Sequence, residues 1–177
     1  MENVVARLFE PVNRKPRADQ TLDGSPGLYA LFLRAGCSLP VVCPGPDGLI
    51  YIGKADGAGG LATRCHFNGK TRNHSPRKSL AALLVQTLEL APRRVNARDG
   101  SYKTWALEKA SEAALDRWMH RNLYVSVVPC AEAAQIEPRL IARFAPPLNL
   151  RDCIQSDDHR RLSDLRRGIE TRLRAEA

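Results

Sequence analysis

The sequence predicts an α+β fold, a three-stranded antiparallel sheet with helices packed about it. Three observations carry this. Two apolar runs, GLYALFLR at 27–34 and LIYIGK at 49–54, read as strands joined by an irregular connection rich in glycine and proline. A third run, LYVSVV at 123–128, alternates and is β-branched. Elsewhere apolar residues recur three and four apart, the mark of helices with one buried face.

Residues 1–25 are polar and hold Pro11, Pro16 and the basic group Arg14, Lys15 and Arg17. They read as an N-terminal arm in which Val4 to Phe9 forms a short helix or strand. After the second strand, Gly57-Ala58-Gly59-Gly60 is a flexible turn, and a short helix starting near Leu61 carries Arg64. Pro76 suits the first turn of the next helix, capped by Ser75, with Leu80, Leu83, Leu84 and Leu88 on its apolar face. Pro92 to Lys103 reads as a basic loop. Thr104 then caps a helix running to about Arg121, with Leu107, Ala110, Ala114, Leu115 and Trp118 as its core face. A helix over 131–144 follows the third strand and ends at Pro146-Pro147. Residues 151–177 hold a last amphipathic helix, 159–175, with Leu162, Leu165, Ile169 and Leu173 as its stripe. That stripe needs a partner. Docking on the core is the favoured reading, and a homodimer through this helix is the other.

The 177 residues suffice for one domain with a real core. No run of about 18 apolar residues exists, and residues 1–10 lack the pattern of a secretory signal, so the expectation is a cytoplasmic protein with no membrane partner. The five cysteines are odd in number and contain no C-x-x-C pair. This argues against a disulfide framework and against a zinc site. The net charge of +8 is concentrated: residues 54–103 hold ten basic and three acidic side chains, and the rest of the chain is almost balanced. Such a block attracts polyanions, and nucleic acid is the commonest. Lys54, Lys70, Arg72, Arg77, Lys78, Arg93 and Arg94 are the candidate substrate contacts, with Arg98 and Lys103 in the same block. The alternative is a solvated basic face.

Within and beside this block lie residues suited to phosphodiester hydrolysis. Gly27-Leu28-Tyr29 and Tyr51-Ile52-Gly53 can set two phenol hydroxyls side by side on neighbouring strands. Arg64 offers a rigid charged fork for a phosphate oxygen. Glu137 is a lone carboxylate among Ile136, Leu140, Ile141 and Phe144, and a boundary carboxylate needs a metal or a cation. One divalent ion held there can stabilise the phosphoryl charge and the leaving oxygen. A tyrosine accepts a proton from water only if its phenol is shifted down or relayed, with Lys54, His66 or the metal supplying the bias. The blander readings are core aromatics for Tyr29 and Tyr51, and an ion pair for Glu137.

The two tripeptides resemble the signature of the GIY-YIG endonuclease family, with Leu28 in place of isoleucine. The resemblance covers about residues 26–150. It extends to Leu61-Ala62-Thr63-Arg64, to Glu137 on a helix after the third strand, and to Pro146-Pro147-Leu148-Asn149. His66 departs from it, standing two residues after the arginine where many members place a histidine or tyrosine one turn along; that place here is Asn68. The resemblance implies a GIY-YIG-like nuclease domain using Mg²⁺ or Mn²⁺ bound at Glu137. Tyr29, Tyr51, Arg64, His66, Glu137 and Asn149 would be its catalytic residues and DNA its substrate. A non-catalytic nucleic-acid-binding module, a nuclease for RNA or branched structures, and an interaction protein using the last helix stay open beside it.

Overall fold

A computed structural model of the protein describes residues 2–20, 22–64, 67, 70–95, 105–153 and 155–176, with Asn73 described in its backbone only. The elements, in chain order, are α1 (Glu2–Phe9), β1 (Gly27–Leu33), β2 (Leu49–Ala55), α2 (Gly60–Thr63), α3 (Ser75–Leu84), β3 (Pro92–Arg94), β4 (Trp105–Leu107), α4 (Lys109–Asn122), β5 (Leu123–Pro129), α5 (Ala133–Phe144) and α6 (Asp157–Ala175). The expected three-stranded antiparallel sheet is present, in the order β2-β1-β5.

β1 is the central strand, and its composition explains why. Every residue from Gly27 to Leu33 is buried. Side chains alternate across a strand, so Leu28, Ala30 and Phe32 face one layer and Tyr29, Leu31 and Leu33 the other. The first layer is α1 and α5, which contribute Leu8, Ile136, Leu140 and Ile141. The second is built from α3, α4 and α6 with the β3–β4 ribbon, through Leu80, Leu84, Trp105, Leu115 and Leu162. The β1–β2 register slips between Leu31 and Phe32, so Tyr51 lies opposite Leu31 while Leu49 lies opposite Phe32. The bulge adds one residue, Ile50, and turns it to the same layer as Tyr51.

Both sheet edges are covered, which protects backbone groups that would otherwise pair at random. On the β5 side, Lys15 exchanges two backbone hydrogen bonds with Val125, at 3.1 and 2.9 Å. The segment expected to be an arm is therefore laid against the sheet, and Phe9 packs on Phe144 and Phe32. On the β2 side, the chain after α5 supplies Leu148 N–H to Ile50 O and the amide of Asn149 to Ile52.

Three expectations are corrected. The helix expected from Thr104 is interrupted: Trp105–Leu107 forms β4, which pairs with Pro92–Arg94, so part of the expected basic loop is strand β3. Thr104, Arg98 and Lys103 lie outside the described residues. The short helix after the glycine turn ends at Thr63, and Arg64 caps it rather than riding on it. On α6, Leu165 is 37% exposed while Arg166, expected on the polar side, is half-buried. At 3.6 residues per turn, Leu162, Ile169 and Leu173 cluster within about 40°; Arg166 lies about 40° to one side and Leu165 about 60° to the other.

α6 docks on α3 and β3 through Leu162 and Ile169, as favoured from the sequence. Ser156 and His159 form its capping box. Ser156 N–H donates to His159 Nδ1, so the proton sits on Nε2, which reaches Pro146 O at 3.2 Å. This buried histidine ties α6 to the segment bearing Asn149. Among the described residues no helix is long and apolar enough to cross a membrane.

Candidate active site

The two glycines of the tripeptides are explained by close approach. A Cβ on Gly53 would overlap the ring carbon Cζ and the hydroxyl of Tyr29 and stand 2.8 Å from Tyr51 Cε1. Tyr29 pairs with Gly53 across the strands, so its ring lies over the glycine and reaches Tyr51, two residues back on the same face. The ring centroids are 6.0 Å apart. A Cβ on Gly27 would stand 2.6 Å from Val128 O and 2.7 Å from Leu61 Cδ1, so this glycine lets α2 pack against the sheet.

The two phenol hydroxyls are within hydrogen-bonding reach of one another. Burial pushes Tyr29 well above the usual phenol value, and Tyr51 adds to the rise. Burial pushes Tyr51 up to about 12, helped by the Glu137 charge and opposed by the Tyr29 hydrogen bond and Arg64. A downward shift is one of two ways a tyrosine could serve as base. The shift found is upward, because loss of water outweighs the pull of the Arg64 guanidinium. The relay remains as the second way.

Glu137 approaches from the opposite layer. α5 packs beside β2 with Ile136, Leu140 and Ile141 buried, which leaves Glu137 at the boundary of that layer, 16% exposed. Its carboxyl is held above the ordinary value, first by burial and then by Asp56 and Asp152, against the pull of Lys54. Lys54 Nζ is 3.9 Å from Glu137 Oε2 and 2.9 Å from Asp56 Oδ2. Arg64 Nη2 is 4.0 Å from Asp56 Oδ1. Asp56 thus sits between the two cations. The hydrogen bond from Lys54 lowers its carboxyl and raises the ammonium in return.

Asn149 holds the edge strand itself. Its Oδ1 accepts from Ile52 N–H at 2.9 Å and its Nδ2 donates to Ile52 O at 2.8 Å, a fork that replaces a missing strand partner. A cleft of about 460 Å³ opens beside it, lined by Tyr51, Glu137 and Asn149 and by Arg72, Lys78 and Arg166 among others.

The structure therefore brings Tyr51, Glu137 and Asn149 to the cleft, with Lys54 and Arg64 linked through Asp56 and Tyr29 behind Tyr51 on the central strand, where it lines a separate small pocket with Arg64. His66 and Asn68 lie outside the described residues. Of the basic block, Lys70, Arg93 and Arg94 are exposed, and Arg72 and Lys78 line the cleft. Lys78 is otherwise buried, with Nζ 4.9 Å over the Trp105 ring. Arg77 is removed from the DNA-facing set. Its side chain is fully buried, paired with Glu112 at 2.6 Å and Asp116 at 2.5 Å. Sequence reasoning passes over Asp56, His74, Arg151, Asp152 and Arg166, the last four of which line the cleft. Asp56 carries a signal, a carboxylate two residues after Lys54; the others become neighbours only through the fold.

Among known families, the GIY-YIG catalytic domain matches residues 45–170, more than half of the chain. The chain belongs to this family. The match begins after β1, so Gly27-Leu28-Tyr29 precedes it, and the pairing of β1 with β2 joins the two halves of the signature. No curated protein and no solved structure matches the chain. The fold and family are those of a GIY-YIG-type nuclease, whose substrate is nucleic acid.

Proposed function

We propose that the protein is a divalent-metal-dependent endonuclease that hydrolyses DNA phosphodiester bonds in the cleft beside β2. The observation that carries this is the meeting of Tyr51 and Glu137, from opposite faces of the sheet, at one polar opening.

The donor set fits a hard dication. Glu137 is a half-buried oxygen ligand whose charge is disfavoured by burial and by two neighbouring carboxylates, so a cation there would relieve it. Among the described residues no group of three or more His, Cys, Asp or Glu side chains could share an ion. One carboxylate, with water and substrate oxygens completing the shell, suits Mg²⁺ or Mn²⁺. When bound, the ion would stabilise negative charge on the phosphoryl group and on the leaving oxygen.

The protein's own residues do the rest. Arg64, 42% exposed and close enough to lower both phenols, would hold a phosphoryl oxygen. Tyr51 borders the cleft and Tyr29 stands behind it. A neutral Tyr51 hydroxyl accepts a proton from water only while passing its own on. Water activation is then a relay, ending on a non-bridging oxygen of the phosphodiester in the same cleft. Asn149 keeps β2 in place, and Lys54 keeps Asp56 and Glu137 apart in role by pairing tightly with the first.

The test is incubation of supercoiled plasmid with the protein and Mg²⁺ or Mn²⁺. Nicked and linear products are expected, absent with chelator. Arg64→Ala should lose roughly 10²-fold or more in rate, and Arg64→Lys should remain poor. Salt-dependent binding with no cleavage under any metal would replace this reading with a non-catalytic binding module. Faster cleavage of RNA or branched DNA in competition would change the substrate.

A further inference from the structure

We propose that the arginine-bearing part of the cleft lining is a second phosphate-binding subsite for the nucleic-acid backbone, anchored by Arg166 of α6 with Arg151 beside it. This rests on the nuclease reading for its ligand and goes beyond it in giving the C-terminal helix a part in gripping substrate.

The position of Arg166 is the first argument. It lies four residues after Leu162 and three before Ile169, both of which pack into the core. A guanidinium on that stripe costs desolvation that a leucine would not. Its hydrogen bond is to Ser79 Oγ at 3.4 Å, and among the described residues no carboxylate lies within ion-pair distance of it. The side chain instead borders the cleft that Tyr51 and Glu137 also border.

The second argument is electrostatic. Burial, then the charge of Arg151, disfavour the protonated form of Arg166. A half-buried guanidinium and an exposed one thus line the same cleft with like charge, which favours arrival of an anion. Arg72, Lys78, Arg151 and Arg166 line the cleft against only Glu137 and Asp152, a net of +2. The cleft volume of about 460 Å³ is within the range of small-ligand sites. A strand whose reacting phosphate meets Tyr51 and Glu137 can place another of its phosphates on the arginines.

Binding of a fluorescein-labelled DNA duplex to the full chain, read by anisotropy over a salt series with chelator present, tests this without turnover. Arg166→Gln should weaken binding about tenfold or more and reduce the magnitude of the slope of log affinity against log salt by about 0.9. Arg151→Gln should act in the same direction, and Arg166→Lys should keep the wild-type slope. The melting temperature of Arg166→Gln should stay at or above that of wild type, which separates weakened phosphate binding from damage to the fold. Wild-type affinity and slope in both glutamine variants would overturn the subsite, as would a wild-type chain whose duplex binding ignores salt. Failure of plasmid cleavage with these binding changes intact would sink the nuclease reading and leave the subsite standing.

Discussion

The ring end of Tyr29 fills the space that a side chain on Gly53 would need. The two residues are opposite partners on β1 and β2, so the tyrosine of one tripeptide explains the glycine of the other. Gly53→Ala should therefore destabilise the protein by about 1–3 kcal/mol, the usual cost of overpacking. Because Cζ as well as the hydroxyl would clash, Tyr29→Phe should not rescue this variant, whereas Tyr29→Leu should recover part of the stability, the contact with Tyr51 Cε1 remaining, but no cleavage. Denaturant unfolding of the three variants decides it. Equal rescue by phenylalanine would confine the clash to the hydroxyl.

Asn149 and Ile52 form the second relationship with a measurable cost. Asn149→Ala leaves the Ile52 N–H and C=O without their side-chain partner at a buried edge, a loss of about 1–3 kcal/mol. Asn149→Asp keeps the acceptor but sets a second oxygen against the Ile52 carbonyl. At neutral pH it should be the less stable of the two, and acid should narrow the gap as the new carboxyl regains a donor. An aspartate variant as stable as wild type at pH 7 would show that the fork is not made in solution.

These two pairs also show what is legible in the chain. Strands announce themselves by alternation and β-branching, so β1, β2 and β5, with the tyrosines and glycines they carry, can be read directly. Asn149 stands out by its place in a Pro-Pro-Leu-Asn element, but its fork to Ile52 needs the chain path after α5. The three-residue strands β3 and β4 are not legible, because neither has the length to establish a period and β3 opens on a proline. Arg166 is misplaced when Leu165 is preferred for the stripe on hydrophobicity alone. The angular spacing about Leu162, Ile169 and Leu173 already favours the arginine.

Arg77 makes the point energetically. Its charge assigns it to the basic block, yet Glu112 and Asp116 stand one turn apart on α4 and enclose it. Arg77→Ala leaves two carboxylates facing an emptied buried site, and should cost about 3–5 kcal/mol in stability. The salt slope of DNA binding should not change in the fraction that stays folded. The double change Arg93→Ala and Arg94→Ala, on exposed β3, should do the reverse: little effect on melting, and a slope reduced by up to about 0.9 for each phosphate no longer neutralised. A wild-type slope in that double variant would remove β3 from the nucleic-acid face.

Glu137→Gln should abolish cleavage and leave the fold as stable as before, or more so. An amide is a poor ligand for a hard dication, which accounts for the first part. The second follows from the carboxyl being held above its ordinary 4.5, chiefly by burial. Between 4.5 and the raised folded value, the folded state keeps a proton that the unfolded state has released. Stability contributed by this group is then full below the unfolded value and is lost as pH rises through the folded one. Glutamine carries no such charge, so the melting temperature of the variant relative to wild type should climb as pH is raised from about 4 to about 7. In the wild type, cleavage should climb over the same window, as the carboxylate becomes available to bind metal. Melting curves at several pH values settle the sign. A variant that melts below wild type at neutral pH would mean that the Lys54 contact at 3.9 Å outweighs burial, and Glu137 would then be a structural ion-pair partner first.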